Sequence, residues 1–89
     1  MPERDAVFRP QFRDDLIVLI RTHPRRAIRL LQLVEAVCRD PFSGIGKPEP
    51  LRYVNSNTWA RRLSDADRVV YEVRDTQTIF LQARFHYSE

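Results

Sequence analysis

Apolar positions change period near the middle of this chain. Between residues 10 and 39 they recur every three to four residues, and in the second half they alternate with polar ones. The run Asp5-Ala6-Val7-Phe8 reads as a short strand. Phe12, Leu16 and Ile20 then return at four-residue spacing, with Ile17 and Leu19 widening the stripe, which predicts an amphipathic helix ending near Arg21. Pro10 suits its first turn, and Asp14 and Asp15 lie near its positive end. Thr22, His23 and Pro24 make a turn. A second helix from Pro24 to about Arg39 carries the stripe Ala27, Leu31, Val34 and Cys38, flanked by Ile28, Leu30 and Val37, with Arg25, Arg26, Arg29 and Glu35 largely outside it. Pro41 stops it. So short a turn between the helices predicts an antiparallel hairpin.

Beyond residue 50 the alternating pattern predicts strands at 51–54, 58–63, 68–74 and 78–87. The last two are rich in Val, Tyr, Ile and Phe and meet near Asp75-Thr76-Gln77, while Asn55, Ser56 and Asn57 supply an earlier turn. Strands follow helices instead of alternating with them, so the expected class is α+β: a helical hairpin packed on a small antiparallel sheet. One domain over residues 1–89 is expected. A chain of this size buries only roughly 60–65% of its unfolded surface, so its core is small.

Composition narrows the picture. Hydrophobic residues make up 43% and aromatics 10%, enough for a globular fold. A lone cysteine, Cys38, rules out an internal disulfide and suits a reducing cytoplasm. No signal-like N-terminus and no apolar run of membrane length is present, so a cytoplasmic location without membrane contact is expected. The formal charge is only +3, but it comes from fourteen arginines and one lysine. Planar guanidinium forks match phosphate oxygens, which fits a nucleic-acid or acidic-protein partner. An arginine-rich proteome would give the same ratio, so charge alone does not decide.

Residues 41–52, PFSGIGKPEPLR, hold both glycines, the only lysine (Lys47) and three of the six prolines. Glu49 sits between Pro48 and Pro50, which restrict its backbone from both sides. As a plain connector the segment needs only breakers; a carboxylate beside a lysine on a stiffened loop also has the makings of a site. Further candidate groups in this half are Arg52, Arg61, Arg62, Arg68, His86 and Tyr87. A hairpin of the last two strands sets Arg68 opposite Phe85 or His86, and the register decides whether Arg68 and His86 share a face. RNA transesterification needs a base for the 2′-hydroxyl, cations for the charged phosphorane and an acid for the leaving 5′-oxygen, and glutamate, arginine or lysine, and histidine fit those three roles. Tyr87 could stack on a base. Read blandly, His86-Tyr87 is a strand-end surface pair and Trp59 belongs to the core or a helix–sheet contact. One of Arg61 and Arg62 meets solvent, and His23 is a surface residue. Two distant histidines and one cysteine give no metal-ligand spacing, and Gly44-Ile45-Gly46-Lys47 lacks the spacing of a phosphate-binding P-loop.

Four ordered blocks carry a resemblance: Pro41-Phe42-Ser43-Gly44-Ile45-Gly46-Lys47-Pro48-Glu49-Pro50-Leu51, then Trp59-Ala60-Arg61-Arg62, then Arg68-Val69-Val70-Tyr71, then Arg84-Phe85-His86-Tyr87. Together they resemble the YoeB/Txe toxins of the RelE superfamily over about residues 40–87, and the helical half agrees in layout. The resemblance implies a RelE-like microbial RNase fold and a toxin of a type II toxin–antitoxin system. Such a toxin cleaves messenger RNA in the ribosomal A site without cofactor or metal. The implied partners are a cognate YefM/Phd-like antitoxin, the ribosome and, in a homodimer, a second copy. Carried over by motif, Glu49 is the general base, His86 the general acid and Arg68 the transition-state cation. Lys47, Arg52 and Arg62 position substrate phosphates, and Tyr87 contacts a base.

The chain departs from the family at Asn57 and Thr58, where relatives usually carry a glycine and an aromatic, and at Asp67, where a histidine commonly precedes the arginine. Asparagine tolerates left-handed geometry better than most residues, so the turn can survive the replacement. Arg52 replaces a frequent lysine, and Ser88-Glu89 extends past the usual terminal tyrosine. Asp67 and that extension leave a second reading open, a catalytically weak member that binds ribosome or antitoxin without efficient cleavage. A gyrase-directed toxin of the same fold is a third, which the Glu/Arg/His set disfavours.

Overall fold

The computed structural model describes residues 3–55 and 57–85. The element order is β1 (Asp5–Phe8), α1 (Pro10–Thr22), α2 (Pro24–Arg39), β2 (Glu49–Pro50), β3 (Thr58–Arg62), β4 (Arg68–Val73) and β5 (Gln77–Phe85). The strands form one sheet in the order β1-β5-β4-β3-β2. Pairing is antiparallel from β2 to β5, whereas β1 joins β5 in parallel. The expected antiparallel sheet therefore has one parallel edge. After β1 the helical hairpin crosses the sheet, and the chain returns to pair with β1 only through its last strand.

Both helices begin with proline at the first position, where its missing N–H costs nothing. They pack on one sheet face, where Phe12, Leu19, Leu30, Leu33 and Val37 meet Val69, Tyr71, Phe80 and Ala83. The buried faces are rotated from the expected stripes. In α1 the inward residues are Phe12, Asp15 and Leu19, while Ile20 is exposed; in α2 Leu30 and Leu33 are buried and Leu31 is exposed. In α1 the cause is a carboxylate on the inner face. Asp15 takes a core position, so the aliphatic neighbours on either side of it looked like the core. Neither Asp14 nor Asp15 lies in the first turn, so the expected helix-end role is not theirs.

On the opposite face Leu51, Ala60 and Val70 form a second small cluster, with Leu81 and Phe85 against it. The expected strand at 51–54 is instead the two-residue β2, followed by a turn in which Leu51 is buried and Arg52, Tyr53 and Val54 are exposed. Pro50 is tolerated there because β2 is an edge strand. The turn before β3 is held by Asn55, whose Oδ1 accepts from the Asn57 N–H (2.9 Å) and the Thr58 hydroxyl (2.7 Å). Asn57 does not adopt left-handed geometry; Lys47 is the non-glycine that does among the described residues.

The β4–β5 hairpin carries a feature hidden in the sequence. Val73 pairs with Thr78, and an uninterrupted ladder from there would set Arg68 opposite Ala83. Register shifts between Arg68 and Val70 and between Val70 and Tyr71 each admit one extra β5 residue, so Arg68 pairs with Phe85.

Candidate functional site

Alternation along β3 sends Arg61 and Arg62 to opposite faces, as expected, but with unequal consequences. Arg61 is fully buried beneath the loop that precedes β2. Its Nη1 donates to the Ile45 carbonyl (3.1 Å), its Nη2 to the Ser43 carbonyl (2.9 Å) and to that of Asp40, and its Nε to Tyr71 Oη (3.1 Å). The Tyr71 hydroxyl in turn donates a hydrogen bond to the Pro41 carbonyl (2.7 Å). Burial pushes the Tyr71 phenol above its ordinary pKa, against the opposing pull of the Arg61 guanidinium. One guanidinium thus collects three carbonyls of a segment with no regular structure. In the sequence Arg61 stands as one of several candidate groups of this half, with nothing to set it apart from Arg62. Its signal was faint: an arginine at the inward parity of a strand.

Loop geometry follows from this clamp. Gly44 and Gly46 have φ of +119° and +83°, and a Cβ at Gly46 would lie 3.0 Å from Leu33 Cδ2 and 3.1 Å from the Arg62 carbonyl. The Arg62 N–H donates to the Gly46 carbonyl at 2.6 Å, tying the loop to β3. At the loop's start the Asp40 carboxylate accepts from the Ser43 hydroxyl (2.6 Å) and the Phe42 N–H (3.0 Å), which hold its pKa below the ordinary carboxylate value. Phe42 packs on Trp59 with ring centroids 5.1 Å apart, and Trp59 joins the helix-side core as expected. Lys47 then sits at φ +51°, a left-handed conformation that costs a residue with a Cβ about 1–2 kcal/mol. Backbone strain of this kind gathers at functional sites.

The clamp delivers Lys47 and Glu49 to the sheet face away from the helices. Lys47, Glu49, Arg62 and Arg68 line one cleft of about 130 Å³. Arg62 and Arg68 are direct cross-strand partners. Like charges placed directly opposite each other destabilise a sheet, so structure alone gives no reason for the pair. Arg68 is steadied by its Nη1, which donates to the Ser64 (3.1 Å) and Asp67 (3.3 Å) carbonyls of the β3–β4 turn. Asp67 is itself buried there. One carboxylate among three cations makes a compact site for a phosphodiester next to a group that can accept a proton. A larger hollow of about 440 Å³ at the helical turn, lined by His23, Pro24, Arg25 and Arg26, holds no such acid–base set.

Four of the sequence-derived candidates are therefore brought together. Arg52 is exposed in the turn after β2 and does not line the cleft. His86 and Tyr87, with Ser88 and Glu89, lie outside the described residues. Of the two registers expected for the last hairpin, the structure has the one that sets Arg68 opposite Phe85 and not the one that pairs it directly with His86.

Comparison with known proteins adds the family context. The sequence profile described as YoeB-like toxin of bacterial type II toxin–antitoxin system matches residues 8–87. Toxin YoeB of Mycobacterium bovis is 40% identical over 84 residues, covering 94% of this chain and 99% of that protein. The solved YoeB/ParE toxin from Agrobacterium tumefaciens superposes with a TM-score of 0.87 at 34% identity, covering 93% of this chain and 99% of its own. YoeB from Staphylococcus aureus, 25% identical and covering 97% of this chain and 100% of its own, has been solved as a dimer (TM-score 0.88) and in complex with YefM (TM-score 0.82).

Proposed function

The chain belongs to the YoeB-like toxins of bacterial type II toxin–antitoxin systems, and from that premise we propose that it is an endoribonuclease that cuts messenger RNA in the ribosomal A site. The supporting observation is the cleft that gathers Lys47, Glu49, Arg62 and Arg68 on one sheet face. In this reading Glu49 removes the proton from a ribose 2′-hydroxyl, and the freed oxygen attacks the adjacent phosphorus. Arg68, with Lys47 and Arg62, holds the non-bridging oxygens as negative charge builds on the phosphorane. His86 gives its proton to the departing 5′-oxygen, and Tyr87 stacks on a base beside the scissile bond. One fragment ends in a 2′,3′-cyclic phosphate, the other begins with a 5′-hydroxyl, and side chains alone supply the chemistry. Arg52, outside the cleft, takes a more distant phosphate.

The neutralising partner in this proposal is a YefM-like antitoxin, and a second copy of the chain is a candidate partner in a homodimer. The workplace is the cytoplasm, where translating ribosomes are.

Primer extension on messages from cells expressing the chain tests the activity, with Glu49→Ala and His86→Ala beside wild type. Wild type should give discrete cuts in translated frames, and each variant should lose about 10²–10⁴-fold in rate. If both variants cut as well as wild type, the assignment of base and acid is wrong. Growth arrest by wild type without any cut would instead mark a member that blocks translation by binding.

A further inference from the structure

Asp15 is the one carboxylate on the inner face of α1, only 6% exposed. Its Oδ2 accepts from two consecutive backbone N–H groups of β5, Ala83 at 2.9 Å and Arg84 at 3.2 Å. Its Oδ1 accepts from Gln11 Nε2 at 2.8 Å. Consecutive N–H groups of a regular strand point to opposite sides, so one oxygen can take both only where the ladder is broken. The break is present: β5 gains its extra residues against β4 in this stretch, and Arg68 thereby pairs with Phe85. A bulge leaves ladder donors without strand partners, and a buried carboxylate is a strong acceptor for them.

We infer that Asp15 is a positioning residue of the cleft: by capturing the Ala83 and Arg84 amides it fixes the irregular end of β5 and so sets Phe85 opposite Arg68, one of the cleft's cations. This rests on the reading of the cleft as an RNA-cleaving site. The helix layer thereby reaches through the sheet's last strand to a site on the far face. Asp15 touches no substrate; it acts through the backbone of residues 83–85.

Asp15→Asn keeps the shape and one acceptor oxygen but loses the charge, and Asp15→Ala removes the acceptor. In wild-type protein the amide protons of Ala83 and Arg84 should be far downfield and slow to exchange in NMR spectra, with a cross-strand contact between Arg68 and Phe85. In the variants these amides should move upfield and exchange faster, and the cross-strand contact should weaken. On programmed ribosomes, at a temperature where the variants are folded, the single-turnover cleavage constant should drop by about tenfold for Asn and about 10²-fold for Ala. The half-saturating ribosome concentration should stay within about twofold, because only the alignment of reacting groups changes. Folded Asp15→Asn with displaced amides and an unchanged cleavage constant overturns the inference, as does a wild-type spectrum without the two downfield amides. If Asp15→Ala does not fold, the Asn variant decides alone. If wild type makes no cut, the activity reading fails, and the amide and Arg68–Phe85 signals still decide whether Asp15 holds the register.

Discussion

Arg61 and Tyr71, both fully buried, share a hydrogen bond of 3.1 Å from Nε to Oη, and through it one strand residue and its neighbour hold the loop that presents Lys47 and Glu49. The guanidinium supplies donors to three carbonyls, and the phenol supplies one more. No other side chain type offers that fork of donors at one place.

Replacing Arg61 should therefore release the loop and not merely weaken it. Arg61→Met leaves the Asp40, Ser43 and Ile45 carbonyls and the Tyr71 hydroxyl without their donor or partner. At about 1–3 kcal/mol for each buried group left unsatisfied, a loss of at least ~3 kcal/mol is expected in urea unfolding. Tyr71→Phe removes one link of the same chain and should cost about 1–3 kcal/mol. A pair of variants that unfold at the wild-type midpoint would show that the clamp is not stabilising.

Lys47→Gly separates stability from activity. Glycine adopts φ +51° without the penalty that lysine carries, which offsets its greater freedom in the unfolded chain. The melting temperature should hold or rise slightly, while cleavage should fall by about 10²-fold with the loss of one of the three cations that line the cleft. A clear drop in melting temperature would mean that the lysine, and not the backbone, stabilises the loop.

Arg62→Gln probes the opposed arginines in the same way. Relief of the Arg62–Arg68 repulsion should stabilise the sheet by about 0.2–1 kcal/mol, measured by urea titration, and cleavage should fall. A variant both less stable and fully active would contradict the placement of Arg62 in the cleft.

Gly46→Ala should be damaging although it adds one methyl. The position needs φ +83°, and the new Cβ would meet Leu33 and the Arg62 carbonyl within 3.1 Å. A loss of about 1–3 kcal/mol is expected, with thermal unfolding as the readout.

Stability should fall at both ends of the pH scale. Asp40 has its pKa lowered by the Ser43 hydroxyl and the Phe42 N–H, so its contribution is complete above the ordinary carboxylate value and disappears as acid protonates the folded form. Burial raises Cys38 and Tyr71, so the unfolded chain gives up these protons first. Stability should then decline above about pH 8.5–10, where free thiols and phenols ionise. Denaturant midpoints measured from pH 3 to 11 test both limbs, and Tyr71→Phe should flatten part of the alkaline one.

Much of the architecture was legible in periodicity. The helical hairpin, with its proline-led helices, and the β4–β5 pair follow from spacing, because the hydrophobic effect imposes those periods. What escaped was polar burial. Asp15 stands where a leucine would be expected, and it binds backbone amides 68 and 69 residues away that no side-chain pattern announces. Arg61 looked interchangeable with Arg62, because the carbonyls that hold it belong to a loop without periodicity. The register of Arg68 depended on two irregularities, and counting residues across a turn assumes a regular ladder. Glu49, Lys47, Arg62 and Arg68 were recognisable as chemistry, while their meeting in one cleft required the fold.

The parallel edge of the sheet has a consequence for the order of assembly. β5 comes last among the described strands, yet it lies inside the sheet, with β1 on one side and β4 on the other. Contacts between the two ends of the chain are the most costly to close and come late in assembly. Until β5 is in place, the core lacks Phe80 and Ala83, and Arg68 lacks the Phe85 that stands opposite it. Completion of the sheet, and with it the pairing that faces the cleft, is therefore governed by the insertion of a single strand between β1 and β4.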